Sequence, residues 1–269
     1  MHWYTITMNE SVILYISLAF IGLFFGSFFN VLADRLSMER TILGRSMCDT
    51  CNHILGWYDL IPLISFALLK GRCRYCKASL SFGYPLSELF TSAVFVLTYY
   101  FSTNVYRQEP LHMIHLVIAG ILIVMFLSDI RYQIIPDEMQ IALFLTSIIR
   151  IFLFSQNISI EIVKPYFLGA VATMLPLLLV FLLSKGRGMG FGDVKYAISM
   201  GLLLGIWNGL VGLYLAFVFG GAIGGILLLM KKSKMKSKIA FGPFLFIATY
   251  LMMFFENDII LLLSKIYRF

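Results

Sequence analysis

Four cysteines have the most specific spacing in this 269-residue sequence. Cys48 and Cys51 form one C-x-x-C pair, and Cys73 and Cys76 form a second pair after 21 intervening residues. Each pair can bind a metal ion through a tight turn, and two such turns complete a tetrahedral thiolate site suited to zinc. A site with four protein ligands has no open coordination position, so we expect the zinc to be structural. His53 lies nearby and is expected to be a solvated loop histidine.

Two other uses of these cysteines stay open at this point. Two disulfides would require an oxidising compartment, whereas the charge pattern described below places the cysteines in the cytoplasm. A membrane thiol-disulfide oxidoreductase would use the C-x-x-C pairs for redox chemistry. Reduced cytoplasmic thiols with bound zinc would argue against that function.

Carboxylates at the ends of apolar stretches are the second candidate site. The chain has only 14 acidic residues. Asp129 directly follows the apolar run LVIAGILIVMFLS, and Asp193 lies in GMGFGDVK, where another apolar stretch begins. Ionisable groups at membrane segments are costly and are therefore functional candidates. The predicted topology places both aspartates at the same face of the membrane.

Two neighbouring carboxylates can share one proton, so that one stays ionised and the other neutral. The ionised group activates water, and the neutral group polarises a scissile carbonyl and later protonates the leaving amine. Such a pair would perform aspartyl protease chemistry. Gly190 and Gly192 would let a peptide approach the backbone closely, in the manner of an added β-strand.

The residues alone also permit structural roles for these aspartates. Asp129 and Asp193 could pair with Arg131 and Lys195 as interface carboxylates, and Asp137 is a rival for the first catalytic role. A transporter with a zinc-stapled loop would use the same acids to bind ions.

Composition defines the elements that must position these residues. Sixty per cent of the residues are hydrophobic and 13% are charged, which departs strongly from the usual composition of a soluble domain. The apolar residues fall in blocks, so we predict an all-α polytopic membrane protein in contact with the lipid bilayer. The first block lacks a basic segment and a cleavage site, and is therefore predicted to be a retained helix. The net charge of +7 suits cytoplasmic loops, and no nucleic-acid partner is expected.

About eight apolar stretches have lengths near that of a membrane span, although the sixth is short and glycine-rich. They fall at residues 9–33, 84–102, 112–128, 139–155, 163–184, 193–206, 208–230 and 240–263. Turn residues separate some of them, such as Pro110, Asn157 and the Trp207-Asn208-Gly209 run. We predict a first helix over 1–33, a cytoplasmic four-cysteine loop over 34–83, and a multi-helix core over 84–269.

The distribution of Lys and Arg predicts the orientation. The loop 34–83 and the loops near residues 130, 190 and 235 together hold 16 basic residues, and the other side holds five. By the positive-inside rule, the first set of loops is cytoplasmic. The five on the outer side are Arg107, Arg150, Lys164, Lys265 and Arg268, and the cluster near 235 is Lys231, Lys232, Lys234, Lys236 and Lys238.

An ordered set of motifs resembles the type IV prepilin peptidases, of the GxGD group of intramembrane aspartyl proteases. The set consists of GSFFNVLADRL, CDTC, WYDLIPLISFALLKGRCRYC, YPLSELF, SDIRYQIIPDEM, GMGFGDVK and FGPFL. The resemblance implies that Asp129 and Asp193 are the catalytic pair, and that zinc binds to the four cysteines.

The resemblance also implies a substrate and a cofactor. The substrates would be prepilins or pseudopilins of a pilus, secretion or DNA-uptake system, cut after a short basic leader at the cytoplasmic face of the bacterial inner membrane. Many members also methylate the new N-terminus with S-adenosylmethionine. For that activity, the loop 34–83 and Glu88 are the implied region, and no glycine-rich dinucleotide fingerprint is present.

Overall fold

A computed structural model describes residues 8–105, 109–154, 159–230 and 240–267. These residues form helices and connecting loops with no strand among them, which confirms the all-α prediction. Several residues used for the turn and orientation predictions lie outside the described residues. They are Arg107, Asn157, Arg268 and the lysines between 231 and 238.

Nine α-helices occur in the described residues, eight of them long. A 3-10 turn, Trp57–Asp59, precedes the short α-helix. The helices are α1 Met8–Ser37, α2 Ile64–Leu68, α3 Gly83–Val105, α4 Glu109–Tyr132, α5 Asp137–Phe154, α6 Ile160–Leu183, α7 Phe191–Leu204, α8 Ile206–Leu229 and α9 Gly242–Tyr267.

The eight long helices coincide with the eight apolar stretches predicted from the sequence. Five of them, namely α1, α4, α6, α8 and α9, are long and apolar enough to cross a membrane. The helix α7 has only 14 residues, about 21 Å of helix, which is short for the hydrocarbon core. The structure therefore confirms the helices, while the number of crossings stays a prediction.

The chain divides into two compact units, one ending at Asn104 and one beginning at Val105. In the first unit, α1 and α3 approach closely at two glycines of α1. A Cβ atom at Gly22 or Gly26 would lie 2.7 Å from the Cα atom of Ser92 or Glu88, respectively. A buried hydrogen bond of 2.8 Å from Ser87 to Asn30 joins the same helices. The predicted boundary at residue 84 stays a prediction.

In the second unit, α7 is the central helix and packs against α5, α6, α8 and α9. Most of its side chains are buried. Its closest neighbour is α6, because Gly169 and Gly201 bring the two backbones into direct contact. The Thr173 hydroxyl donates a 2.6 Å hydrogen bond to the Ala197 carbonyl across this interface. The other neighbours complete a shell around the helix that carries Asp193.

Candidate functional site: an aspartate pair and a four-cysteine cluster

The second unit brings Asp129 and Asp193 together. Asp129 lies in the last turn of α4, and Asp193 lies in the first turn of α7. Both side chains are buried, and their charges interact through space. The two helices present these ends to the same region, which is the arrangement that the predicted topology requires.

Backbone groups of two glycines surround the pair. The Gly190 amide donates a hydrogen bond to the Asp193 carboxylate. The Gly242 amide lies beside the Asp129 carboxylate. A Cβ atom at Gly242 would lie 2.5 Å from Oδ2 of Asp129. The Oδ2 atom is buried, and no hydrogen-bond partner for it occurs among the described residues. Sequence reasoning missed the contact with Gly242, although the FGPFL motif was the signal that could have indicated it.

Asp137 has a different environment from the buried pair. It is exposed at the start of α5, and both of its carboxylate oxygens accept hydrogen bonds of 2.8 Å from the Lys195 ammonium group. Gln140 also donates to it at 3.3 Å. Lys195 is therefore bound to Asp137, whereas the alternative reading of the sequence paired Lys195 with Asp193. The geometry favours a structural role for Asp137.

The first unit brings the four cysteines together. Their sulfur atoms all lie within 4.8 Å of one another, and the four thiols are free of disulfides. Cys48 and Cys76 have sulfurs 3.8 Å apart. In a tetrahedral site with zinc–sulfur bonds of about 2.3 Å, the sulfurs are about 3.8 Å apart. The cluster therefore has the dimensions of a four-thiolate metal site.

Both cysteine pairs lie on the same kind of turn. The Cys48 and Cys73 amides donate to carbonyls five residues further on, at 3.0 and 2.9 Å. The fourth residue after each of these cysteines, Asn52 or Lys77, adopts the left-handed conformation with φ of 54° or 60°. The two turns thus have the same local backbone geometry, which explains how two short pairs can bind one ion from two sides.

The thiols differ in their electrostatics. Backbone hydrogen bonds from Cys51 and Thr50 lower the pKa of Cys48 to about 7. At Cys76, a backbone hydrogen bond from Ala78 lowers the pKa, but desolvation and hydrogen bonds with the other cysteines raise it to about 11. Four adjacent thiols therefore do not ionise together without a cation. A soft divalent metal would supply that charge, because binding to a metal deprotonates cysteine thiols.

Residues around the cluster form a second layer of contacts. The Arg74 guanidinium is 2.7 Å from Asp59 and lies over the Tyr58 ring. This bond and the neighbouring charges raise the pKa of Arg74. His53 stacks on Tyr75 with ring centroids 3.6 Å apart, and it is exposed, as the sequence predicts. The role of Asp59 was not recognised from the sequence, because no local pattern links it to Arg74.

Glu88 is buried near the start of α3. Its carboxylate accepts a 2.9 Å hydrogen bond from the Leu63 amide and another from the Ser27 hydroxyl. These bonds link the loop 34–83 to α1 and α3. The predicted contact of Glu88 with a cofactor stays a prediction, whereas its structural bonds are clear.

Comparison with protein families gave matches in both units. Residues 20–102 match the bacterial peptidase A24 N-terminal domain, and residues 116–226 match the type IV leader peptidase family. No solved structure matches the chain.

Several known proteins named prepilin leader peptidase/N-methyltransferase are similar to the chain. That of Aeromonas salmonicida is 31% identical over 278 residues, which cover 91% of this chain and 92% of the relative. That of Klebsiella pneumoniae is 34% identical over 200 residues, with coverages of 70% and 84%. That of Myxococcus xanthus is 30% identical over 215 residues, which span 78% of this chain and 62% of the relative.

These matches confirm the resemblance inferred from the motifs. Alignment along nearly the full length of a relative at this identity shows common descent, and the apolar helices indicate an integral membrane protein. This integral membrane protein belongs to the type IV leader peptidase family, that of the prepilin leader peptidases/N-methyltransferases.

Proposed function

We propose that the chain is an aspartic endopeptidase that removes the leader peptide of type IV prepilins or pseudopilins. The convergence of Asp129 and Asp193 in one buried site carries this proposal. The names of the aligned relatives supply the substrate class.

In the proposed reaction, the two carboxylates hold one proton between them. The ionised carboxylate accepts a proton from water as the water oxygen attacks the scissile carbonyl carbon. The protonated carboxyl group donates a hydrogen bond to the carbonyl oxygen. It then supports proton transfer to the departing amine as the peptide C–N bond breaks.

The backbone at the site would position the substrate. The Gly190 and Gly242 amides adjoin the two carboxylates and would hold them in a fixed orientation. Gly190 and Gly192 carry no side chain, so an extended substrate could approach the segment before α7. We place this site at the cytoplasmic face of the bacterial inner membrane, because the basic loops predict that orientation.

We also propose that the four cysteines hold a structural zinc ion. The separation of the sulfurs and their shared turn geometry support this assignment, and four ligands leave no position for a substrate. Clustering of all four sulfurs favours a metal site over two separate redox pairs, which argues against a thiol oxidoreductase.

N-methyltransferase is the second activity in the names of the relatives. We extend it to this chain, with methylation of the new N-terminus and S-adenosylmethionine as the methyl donor. The names of the relatives support this activity, and Glu88 is hydrogen-bonded to Leu63 and Ser27.

The decisive experiment compares cleavage of a purified prepilin by the wild type, Asp129→Asn and Asp193→Asn. Asparagine preserves shape but cannot ionise, so we expect each variant to lose about 10³-fold or more in cleavage rate. Asp137→Asn is the matched control, because its carboxylate is exposed and its ion pair contributes little.

The controls separate catalysis from folding. All variants should retain the wild-type melting temperature and metal content. Wild-type cleavage by both dyad variants would refute the assignment of the pair. Loss of cleavage only in Asp137→Asn would transfer the catalytic role to Asp137.

A further inference from the structure

An apolar segment lies inside the loop that the sequence marks as polar and cytoplasmic. Residues 60–69 read LIPLISFALL, in which Ser65 is the only polar side chain. Ten residues are too few to span a bilayer, and apolar segments of about this length occur as buried core helices or as interfacial or re-entrant elements. In the structure, the segment contains α2.

Hydrogen bonds place this segment beside the first transmembrane helix. The Glu88 carboxylate binds both the Leu63 amide and the Ser27 hydroxyl. A Cβ atom at Gly26 would lie only 2.7 Å from the Cα atom of Glu88, so α1 and α3 are in direct contact at this level. Leu63 therefore lies at the same height along α1 as Ser27.

Two helices provide independent measures of that height. Ser27 precedes Asp34, the first charge after the apolar run of α1, by seven residues, or about 10 Å of helix. Glu88 follows the first residue of α3 by five residues, or about 8 Å. The headgroup region is only about 5–8 Å deep on each side of the hydrocarbon core. Both measures place Leu63 near the boundary between headgroups and acyl chains.

The backbone of the segment suits a site with little water. Leu63 donates to Glu88, Pro62 has no N–H group, Leu60 donates to the Trp57 carbonyl, and four other amides bond within the segment. Those bonds run from Ile64 to Pro62, from Ser65 to Ile61, from Ala67 to Leu63 and from Leu69 to Ser65. The Ser65 hydroxyl donates to the Ile61 carbonyl as well. Backbone groups that are paired in this way lower the cost of placing such a segment near lipid.

The outward face of the segment is apolar. Exposed fractions are 57% for Ile64 and 77% for Leu68, and Phe82, directly before α3, is 70% exposed. The Phe66 ring packs against Phe82 and so joins α2 to the start of α3. Basic residues, including Lys70 and Arg72, follow the segment, and cations at this position suit anionic lipid headgroups.

We infer that residues 60–69, together with Phe82, insert into the membrane interface, and that lipid covers Ile64 and Leu68. Only part of the loop 34–83 is then exposed to water. Its central segment lies in the membrane interface, at the same membrane face as the four-cysteine cluster. This inference depends on α1 and α3 lying in the bilayer and is independent of the proposed catalysis.

Tryptophan quenching in lipid vesicles tests it. In a background with Trp3→Phe, Trp57→Phe and Trp207→Phe, single tryptophans are introduced as Ile64→Trp or Leu68→Trp. The protein is reconstituted with phosphatidylcholine brominated on its acyl chains. We expect strong quenching by the bromolipid, a blue-shifted emission maximum and weak quenching by aqueous acrylamide.

Leu43→Trp is the matched control. Leu43 is an 87% exposed leucine of the same loop, and Arg35 holds its neighbours through bonds to the Ile42, Gly44 and Arg45 carbonyls. Arg35 lies eight residues, or about 12 Å, beyond Ser27 toward the end of α1. Leu43→Trp should therefore be quenched by acrylamide and weakly by bromolipid.

The outcomes are distinct. Metal content equal to that of the parent shows that each variant retains the folded loop. Bromolipid quenching at residues 64 and 68 well above that at residue 43 supports the insertion. Quenching by acrylamide at all three positions would show an aqueous loop and overturn it. Resistance to both quenchers at residues 64 and 68 would show coverage by protein and overturn it equally.

Discussion

At the scale of single residues, the environment of each carboxylate distinguishes a candidate catalytic aspartate from a structural one. Asp129 and Asp193 are buried next to glycine amides, whereas Asp137 is exposed and bound to Lys195. A buried pair can hold one proton between two carboxylates, while an exposed ion pair mainly links two helix ends. Sequence spacing does not distinguish these cases, because all three aspartates lie at helix termini.

Gly242→Ala tests the close approach of α9 to the dyad. The added methyl group would lie 2.5 Å from Asp129 Oδ2, so the carboxylate or the helix must move. A displacement of about 1 Å at a catalytic group can lower the rate on the order of 100-fold, and we expect a loss of kcat of that order. Gly221→Ala is the control, since no atom of the residues that the structure describes lies within 4 Å of its added Cβ atom. Equal kcat values for the two variants would contradict this account.

The cysteine cluster gives a second prediction at this scale. Cys73→Ser removes a ligand, so we expect the zinc content to fall from roughly one ion per chain to near zero, with faster proteolysis within residues 34–83. His53→Ala should retain the metal, because His53 is exposed and stacked on Tyr75. Mass spectrometry of the metal content measures both variants. Full zinc content in Cys73→Ser would show that the cluster is not the binding site.

At the scale of elements, α7 connects packing to chemistry. Its short length and small residues let four helices surround it, and its first turn carries Asp193. The contact with α6 depends on Gly169 and Gly201, whose backbones touch. On the other side, Arg150 donates hydrogen bonds of 3.2 Å to His115 on α4 and 3.1 Å to the Leu203 carbonyl near the end of α7. Both contacts lie near the C-terminal end of α7 and position that end of the helix.

Gly201→Ala tests the α6–α7 contact. The methyl group would overlap the Gly169 carbonyl, and overpacking of this kind costs about 1–3 kcal/mol. We expect a lower melting temperature and weaker cleavage. At Gly225 in α8, an added Cβ atom has no neighbour within 4 Å among the described parts of the chain, so Gly225→Ala should match the wild type. Thermal unfolding in the same detergent measures both alanine variants. Equal melting temperatures for the two would contradict the prediction.

At the scale of the whole molecule, charge determines the expected orientation. The basic residues concentrate in the loops that hold the cysteines and the entry to α7, and the positive-inside rule predicts that such loops are cytoplasmic. We therefore expect both candidate sites to face the cytoplasm.

Fusions of green fluorescent protein after truncation at Gly186 or at Phe154 test this orientation. We expect fluorescence from the Gly186 fusion, because the loop between α6 and α7 is predicted to be cytoplasmic. The fusion after Phe154, at the end of α5, should be exported by the general pathway and remain dark. Fluorescence from the Phe154 fusion and not from the Gly186 fusion would show the inverse orientation.

The sequence by itself determined the helices, the four candidate metal ligands and the identity of the candidate dyad. Apolar blocks define helix positions locally. The two C-x-x-C pairs and the GFGD motif are short patterns that can be recognised in the sequence without the tertiary structure. For the same reason, the eight apolar stretches coincide with the eight long helices.

Only the tertiary structure decided which distant residues meet. The contact of Gly242 with Asp129, the pairing of Lys195 with Asp137 and the bonds of Glu88 to Leu63 and Ser27 join separate elements. No local periodicity records such contacts, because they depend on how helices pack. The apolar segment 60–69 is visible in the sequence, but its height beside α1 follows only from the hydrogen bonds of Glu88.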